Sequence, residues 1–180
     1  MIAVLDANVL FPMVLRDTIL RCAAAGMLQI RWSSRILDEV TRNLVSDYGM
    51  RQEGAEALRQ VMEEAFPDAM AEGWEALEHS MLNDPKDRHV AAAAAAVGAD
   101  SIVTSNIRDF QNLPPDIQAI APDALLCSLL RADPDLMLDV LERQAAGYRR
   151  PSLTLLELVA RLSISAPEFA RLATNQFKSL

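Results

Sequence analysis

The first eight residues constrain the fold most. The apolar run Ile2-Ala3-Val4-Leu5 ends abruptly in Asp6-Ala7-Asn8. A short continuous apolar run followed by an acid is the pattern of a buried parallel strand that delivers a carboxylate to its C-terminal edge. Ligands of open α/β sheets bind at that edge, so Asp6 is a candidate site residue. The competing reading is an ordinary turn residue or helix cap, and the later segments must decide between them.

Those segments repeat the same grammar. Phe11 to Ala25 has helical spacing with Gly26 as its stop, and Leu28 to Trp32 reads as a short extended connection. Ser33 or Ser34 caps a helix reaching about Val45, with Ile36, Leu37, Val40 and Leu44 on its inner face. Gln52 to Phe66 forms a polar surface helix, whereas Gly73 to Leu82 has no decisive pattern. Asn83-Asp84-Pro85 starts a helix that continues through the Ala-rich run to Val97 and stops at Gly98. The run Ser101 to Thr104 is a second strand ending in polar residues, and Ile117 to Ile120 a third, followed by a helix over 123–130. Strands alternating with helices imply a parallel sheet.

The remainder is helical only. Asp133-Pro134 starts one helix, and Thr154 to Glu157 and Ser165 to Glu168 have the form of capping boxes for two more. The predicted organisation is therefore an α/β domain over 1–130 and a helical extension over 131–180, packed on the domain or on a partner.

Composition narrows the function. With 51% hydrophobic residues the 180-residue chain has enough apolar side chains for a packed core. No signal-peptide pattern opens it and no apolar stretch can span a bilayer, so a cytoplasmic protein without membrane attachment is expected. Two cysteines, Cys22 and Cys127, both in apolar surroundings, suit buried thiols in a reducing compartment. A formal net charge of −8 argues against a surface that coats nucleic acid non-specifically. Divalent cations held by clustered carboxylates compensate part of such a charge.

Four acids share one structural logic: Asp6 after a strand, Glu39 beside Val40 on a helix, Asp87 in the first turn of the Ala-rich helix, and Asp109 in the loop after a strand. Asp38 projects to the opposite side of its helix and is the poorer candidate. Two carboxylates about 4 Å apart repel by about 1 kcal/mol in water and about 4 kcal/mol at an effective dielectric of 20, so a cluster of four calls for protons or a cation. Oxygen ligands suit Mg²⁺ or Mn²⁺, which share their sites with substrate phosphate. Asn8, Thr104, Ser105 and Asn106 can orient ligands or phosphate oxygens without adding charge. Phosphodiester hydrolysis is the natural reaction class.

Together, Val4 to Leu10, Ser34 to Val40, Asp84-Pro85-Lys86-Asp87-Arg88-His89-Val90 and Thr104-Ser105-Asn106-Ile107-Arg108-Asp109-Phe110 resemble the PIN-domain nucleases over the first two thirds of the chain. The resemblance implies a three-layer α/β/α fold with a central parallel sheet and metal-dependent endoribonuclease activity. For many bacterial members it also implies a VapC-type toxin held by a cognate antitoxin, commonly as a homodimer. It matches Asp6, Glu39, Asp87 and Asp109 to the metal-binding acids and Asn8 and Thr104 to their polar supporters. The chain departs from the pattern at Asn106, where many PIN domains carry an Asp, which leaves one tightly held metal as the expectation.

Other readings stand beside this one. Glu39 also fits a solvated helix acid, Asp109 a loop end, and Asp84 chiefly a helix cap. Arg88 and Arg108 flank site acids and suit either RNA phosphate or salt bridges. His89 and His79 read as structural or surface residues, and Trp32 and Trp74 as packing. A haloacid-dehalogenase-like phosphatase needs a second Asp where this chain has Asn8. The alternative function is a catalytically weak or silent PIN-like RNA- or protein-binding module acting through its helical tail.

Overall fold

A computed structural model describes residues 1–177. The chain forms two compact units, a sheet unit of Met1–Phe11 with Gln29–Ile120, and a helical unit of Pro12–Leu28 with the chain from Ala121 onward.

The sheet unit is built on four parallel strands, β1 (Ile2–Leu5), β2 (Gln29–Arg31), β3 (Ser101–Val103) and β4 (Gln118–Ile120), in the order β2-β1-β3-β4. β1 pairs with β2 through Ile2↔Gln29 and with β3 through Leu5↔Val103, and Val103 also pairs with Ile120 of β4. Ala3, Val4, Leu5, Ile102 and Val103 are fully buried, as continuous apolar strands should be. β2 is the difference from the extended connection read in the sequence. Of its three residues only Ile30 is buried, so pairing with β1 defines this strand, not its own pattern.

Around this sheet the helices follow local signals. α1 (Ala7–Leu10) is a single turn outside the helix read over Phe11 to Ala25, and that helix is α2 (Met13–Ala24) of the helical unit, which starts after Pro12. α3 (Ser34–Ser46) starts where the buried Ser33 hydroxyl accepts the Ile36 N–H, and buries the four apolar residues expected of it. α4 (Gln52–Ala65) packs on α3, and the undecided stretch contains one short helix, α5 (Glu75–Glu78). α6 (Arg88–Ala96) starts later than its sequence signal, because Pro85 to Asp87 form a preceding turn. Asp84 still caps that turn, accepting the Lys86 N–H. The small Ala side chains of α6 pack against β1 and β3, and Gly98 at φ +57° ends the helix in a conformation that favours glycine.

The helical unit contains α2, α7 (Pro122–Ala132), α8 (Pro134–Gly147), α9 (Leu155–Leu162) and α10 (Pro167–Phe177). The boundary at 130 read from the sequence falls inside α7, and this unit also takes in α2, which packs on α8 and α9. A buried hydrogen bond from the Thr18 hydroxyl to Gln144 Oε1 ties α2 to α8. Thr154 and Glu157 form the expected capping box. At α10, however, the N–H groups of Glu168 and Phe169 are accepted by Asp123 of α7, not by a local box. Cys22 and Cys127 are both free and buried. Among the described residues, no helix is long and apolar enough to cross a membrane.

Candidate active site

The strand order reverses between β1 and β3, which makes the C-terminal ends of these two strands the place where an open parallel sheet leaves a crevice. Asp6 follows β1 there and Thr104 follows β3. The sheet ladder continues into both, with the Asp6 N–H donating to Val103 O and the Thr104 N–H to Ile120 O, each at 3.0 Å. Asp6 occupies the cap position of α1 without capping it. Its side chain turns instead to the site, where Oδ2 accepts from the Asn8 amide at 2.6 Å and from the Thr104 hydroxyl at 2.7 Å.

The supporting residues lock the two loops together. Asn8 Oδ1 accepts the Ser105 N–H at 2.9 Å, and Thr104 Oγ1 accepts the Asn106 N–H at 3.0 Å. Asn106 and Ser105 thus serve the site through their backbones, and both are exposed. Thr104 is fully buried and Asp6 nearly so. Burial pushes the Asp6 carboxyl above its ordinary range; the Thr104 hydroxyl and the Ala7 amide offset part of this, and the charge of Glu39 adds to it.

Asp87 ends the turn that leads into α6. Burial raises its carboxyl too, opposed by Lys86 and reinforced by the charges of Asp109, Asp6 and Asp84. Asp109 lies in a short 3₁₀ segment, Ile107–Phe110, after β3. The buried Asn83 holds that segment in place by donating to the Asp109 carbonyl at 3.0 Å. The sequence placed Asn83 only in a helix-start signal and gave no sign of this contact, because its partner is 26 residues away. Glu39, from α3, is half-buried, with Oε1 lying 3.5 Å from His89 Nε2 and 3.9 Å from Arg42. Burial raises its carboxyl, but His89, Arg42 and Arg35 outweigh that and hold it below the ordinary range. Its neighbour Asp38 is exposed and paired with Arg59 of α4. The four acids therefore act on one another electrostatically, and their charge is only partly balanced.

Three further residues have defined places. Lys86, which the sequence offered no reason to select, puts its ammonium 3.5 Å from Asp109 Oδ2 and 3.8 Å from Asp87 Oδ2. Arg88 donates from Nε to the Asn83 carbonyl at 2.9 Å and so braces the turn; among the described residues it makes no salt bridge. Arg108 is exposed and makes no ion pair among the described residues. His79 is exposed, whereas His89 is buried against Trp74.

The donor set is chemically suited to a hard divalent cation. Every candidate ligand is an oxygen, Asp87 Oδ2 is buried without a hydrogen-bond partner among the described residues, and the Lys86 ammonium stands in as a positive charge between Asp87 and Asp109. Among the described residues, no three carboxylate, imidazole or thiol groups stand close enough to close round one ion. Mg²⁺ does not require such a cage, because it commonly uses one or two carboxylates and completes its shell with water and substrate phosphate.

Residues 3–108, more than half of the chain, match the family model described as PIN domain. The chain belongs to the PIN-domain family. Residues 122–175 match a second model, the VapC50 C-terminal domain, which covers most of α7 to α10. A Mycobacterium tuberculosis protein (strain ATCC 25618 / H37Rv) named "Putative ribonuclease VapC50" is 34% identical over 114 residues, 62% of this chain and 68% of that protein. No solved structure matches. The PIN match spans Asp6, Glu39 and Asp87 and ends at Arg108, one residue before Asp109.

Proposed function

We propose that this PIN-domain protein is an endoribonuclease that needs Mg²⁺ or Mn²⁺ and serves as the VapC-like toxin of a toxin–antitoxin pair. The observation that carries this reading is the buried Asp6 carboxylate, fixed by Asn8 and Thr104 at the crevice of a parallel sheet, with Asp87 and Asp109 electrostatically linked to the same site. One or two of Asp6, Asp87, Asp109 and Glu39 would bind the cation directly, and the others would act on it through water and charge. When bound, the cation supplies an activated water and neutralises charge on a phosphodiester.

The chain's own residues do the remaining work. Asn8 and Thr104 keep the Asp6 carboxylate in one orientation, so little reorganisation accompanies substrate arrival. Asn83 and Arg88 brace the turn and loop that carry Asp87 and Asp109. Arg108, exposed and without an ion pair among the described residues, would meet RNA phosphate at the mouth of the site, and so would Lys86 once a cation takes its place between Asp87 and Asp109. The sheet unit carries the net acidic charge of the chain, which fits a basic antitoxin and a substrate drawn in through a cation. A homodimer and a cytoplasmic setting complete the proposal; two free buried thiols are consistent with the latter.

Incubating the purified full-length protein with tRNA, rRNA and mRNA pools, with Mn²⁺ or EDTA, tests the assignment. Cleavage that requires the cation and disappears in folded Asp6→Asn and Asp87→Asn variants supports it. A folded, cation-replete protein that leaves every pool intact while retaining a protein partner supports the silent binding module instead.

A further inference from the structure

We infer that His89 is a positioning residue for Glu39, donating an N–H from Nε2 to Glu39 Oε1 so that the other carboxylate oxygen is presented to the cation. This rests on the proposed metal site and adds to it a residue outside the acid set. His89 is 1% exposed, and among the described residues neither of its ring nitrogens has a hydrogen-bond partner. Such a ring has no water to fall back on, and a buried unpaired donor is unfavourable. The Trp74 ring lies edge-on to it, with centroids 6.3 Å apart and planes at 65°, and helps hold the imidazole in place.

The acceptor in reach is Glu39 Oε1, at 3.5 Å from Nε2. That oxygen also faces Arg42, at 3.9 Å, while Oε2 makes no hydrogen bond or ion pair among the described residues. The carboxylate is thus approached by donors on one oxygen only. His89 belongs to the first turn of α6, two residues after Asp87, whereas Glu39 belongs to α3, which packs on α6. Closing the 3.5 Å contact to a hydrogen bond couples the orientation of Glu39 to the turn that carries Asp87. Ligating carboxylates commonly depend on outer partners of this kind.

Mn²⁺ titration of the full-length protein by calorimetry, without RNA, tests the inference. His89→Leu is expected to weaken Mn²⁺ binding by about ten-fold or more. His89→Gln, whose amide can donate from a similar position, restores most of it, and His89→Asn, with a shorter reach, does not. In a Glu39→Gln background, His89→Leu should add less than about two-fold, because its effect runs through Glu39. If the Leu variant does not fold, the Gln and Asn pair carries the same comparison. Weakened binding in Glu39→Gln alongside wild-type binding in His89→Leu or His89→Asn overturns the role of His89. An equal loss from His89→Leu with and without Glu39 also overturns it. Wild-type binding in Glu39→Gln itself removes Glu39 from the cation site, and this inference falls with it.

Discussion

Asp6 and Thr104 are 98 residues apart in the chain, yet the Thr104 hydroxyl donates to Asp6 Oδ2 at 2.7 Å. The contact joins the ends of β1 and β3 and fixes the most buried acid of the site. It also means that the carboxylate can be neutralised without losing its hydrogen bonds, since an Asn Oδ1 accepts from the same two donors.

Asp6→Asn should therefore separate stability from function. The folded-state pKa of Asp6 is raised above its ordinary value of 3.8 by burial. Its contribution to stability is fully present below the unfolded pKa and is lost as pH rises through the folded one. Above its raised folded-state pKa the metal-free protein carries an ionised buried carboxylate that the Asn variant lacks. The expected unfolding midpoint of metal-free Asp6→Asn at pH 7 is equal to or above wild type, with cleavage reduced about 100-fold or more. A lower midpoint in thermal melts shows that the charge is not a burden at this position.

Thr104→Val has the opposite character. It keeps the shape but removes the hydroxyl that donates to Asp6 and accepts from Asn106, at a fully buried position. Leaving these groups without their partner should cost about 1–3 kcal/mol. Thr104→Ser should retain most of that. Urea unfolding of the two variants at constant pH measures the difference, and equal midpoints would mean that the hydroxyl is dispensable.

The contrast between these residues and their neighbours shows what the sequence could carry. β1, the Ser33 cap of α3 and the Thr154–Glu157 box were legible because their signals lie within a few residues of one another. β2 was not, since Ile30 alone is buried and its pairing with β1 comes from the fold. Asp6, Asp87 and Asp109 became candidates through their places after strands and at a helix start, and Glu39 through its place beside Val40 on a helix. What surrounds them was hidden: Asn83 reaches Asp109 across 26 residues, and Lys86 meets Asp109 only once the turn before α6 forms. Contacts set by tertiary structure leave no periodic trace.

Removal of Lys86 should strengthen cation binding. Its ammonium lies 3.5 Å from Asp109 and 3.8 Å from Asp87 and competes for the carboxylates a divalent ion needs. The side chain is well exposed and screened by solvent, so the effect on affinity should stay within about five-fold. Lys86→Ala is expected to bind Mn²⁺ tighter by that factor while losing part of its affinity for RNA. Calorimetry at low and high salt distinguishes the effect, which should shrink as screening increases. Weaker Mn²⁺ binding in Lys86→Ala contradicts the competition.

Protons should compete for the same site. Burial raises the carboxyls of Asp6 and Asp87 above the usual range, so both hold protons at a pH where an exposed Asp is ionised. Because a cation needs the ionised form, Mn²⁺ affinity should fall as pH is lowered, starting at a higher pH than ordinary carboxylates would give. Titrations from pH 8 to about 4.5 follow this directly. Affinity that stays level across the range would show that neither acid ligates.

In the helical unit, Asp123 has a role separable from the site. Its carboxylate accepts the Phe169 N–H at 2.8 Å and the Glu168 N–H at 3.1 Å, closing the first turn of α10 from α7, 46 and 45 residues away. These amides have no acceptor within their own helix, and a negative charge at a helix N-terminus also complements its dipole. Asp123→Ala should therefore cost about 0.5–2 kcal/mol of stability. Amide exchange should quicken along Pro167–Phe177 before it does in β1 and β3. Asp123→Asn, which keeps one acceptor oxygen, should lose less. Both variants should bind Mn²⁺ as wild type does, because Asp123 belongs to the helical unit and the acids to the sheet unit. Equal exchange along α10 in the Ala variant would mean that packing of Phe169 and Ala173, not the borrowed cap, holds this helix.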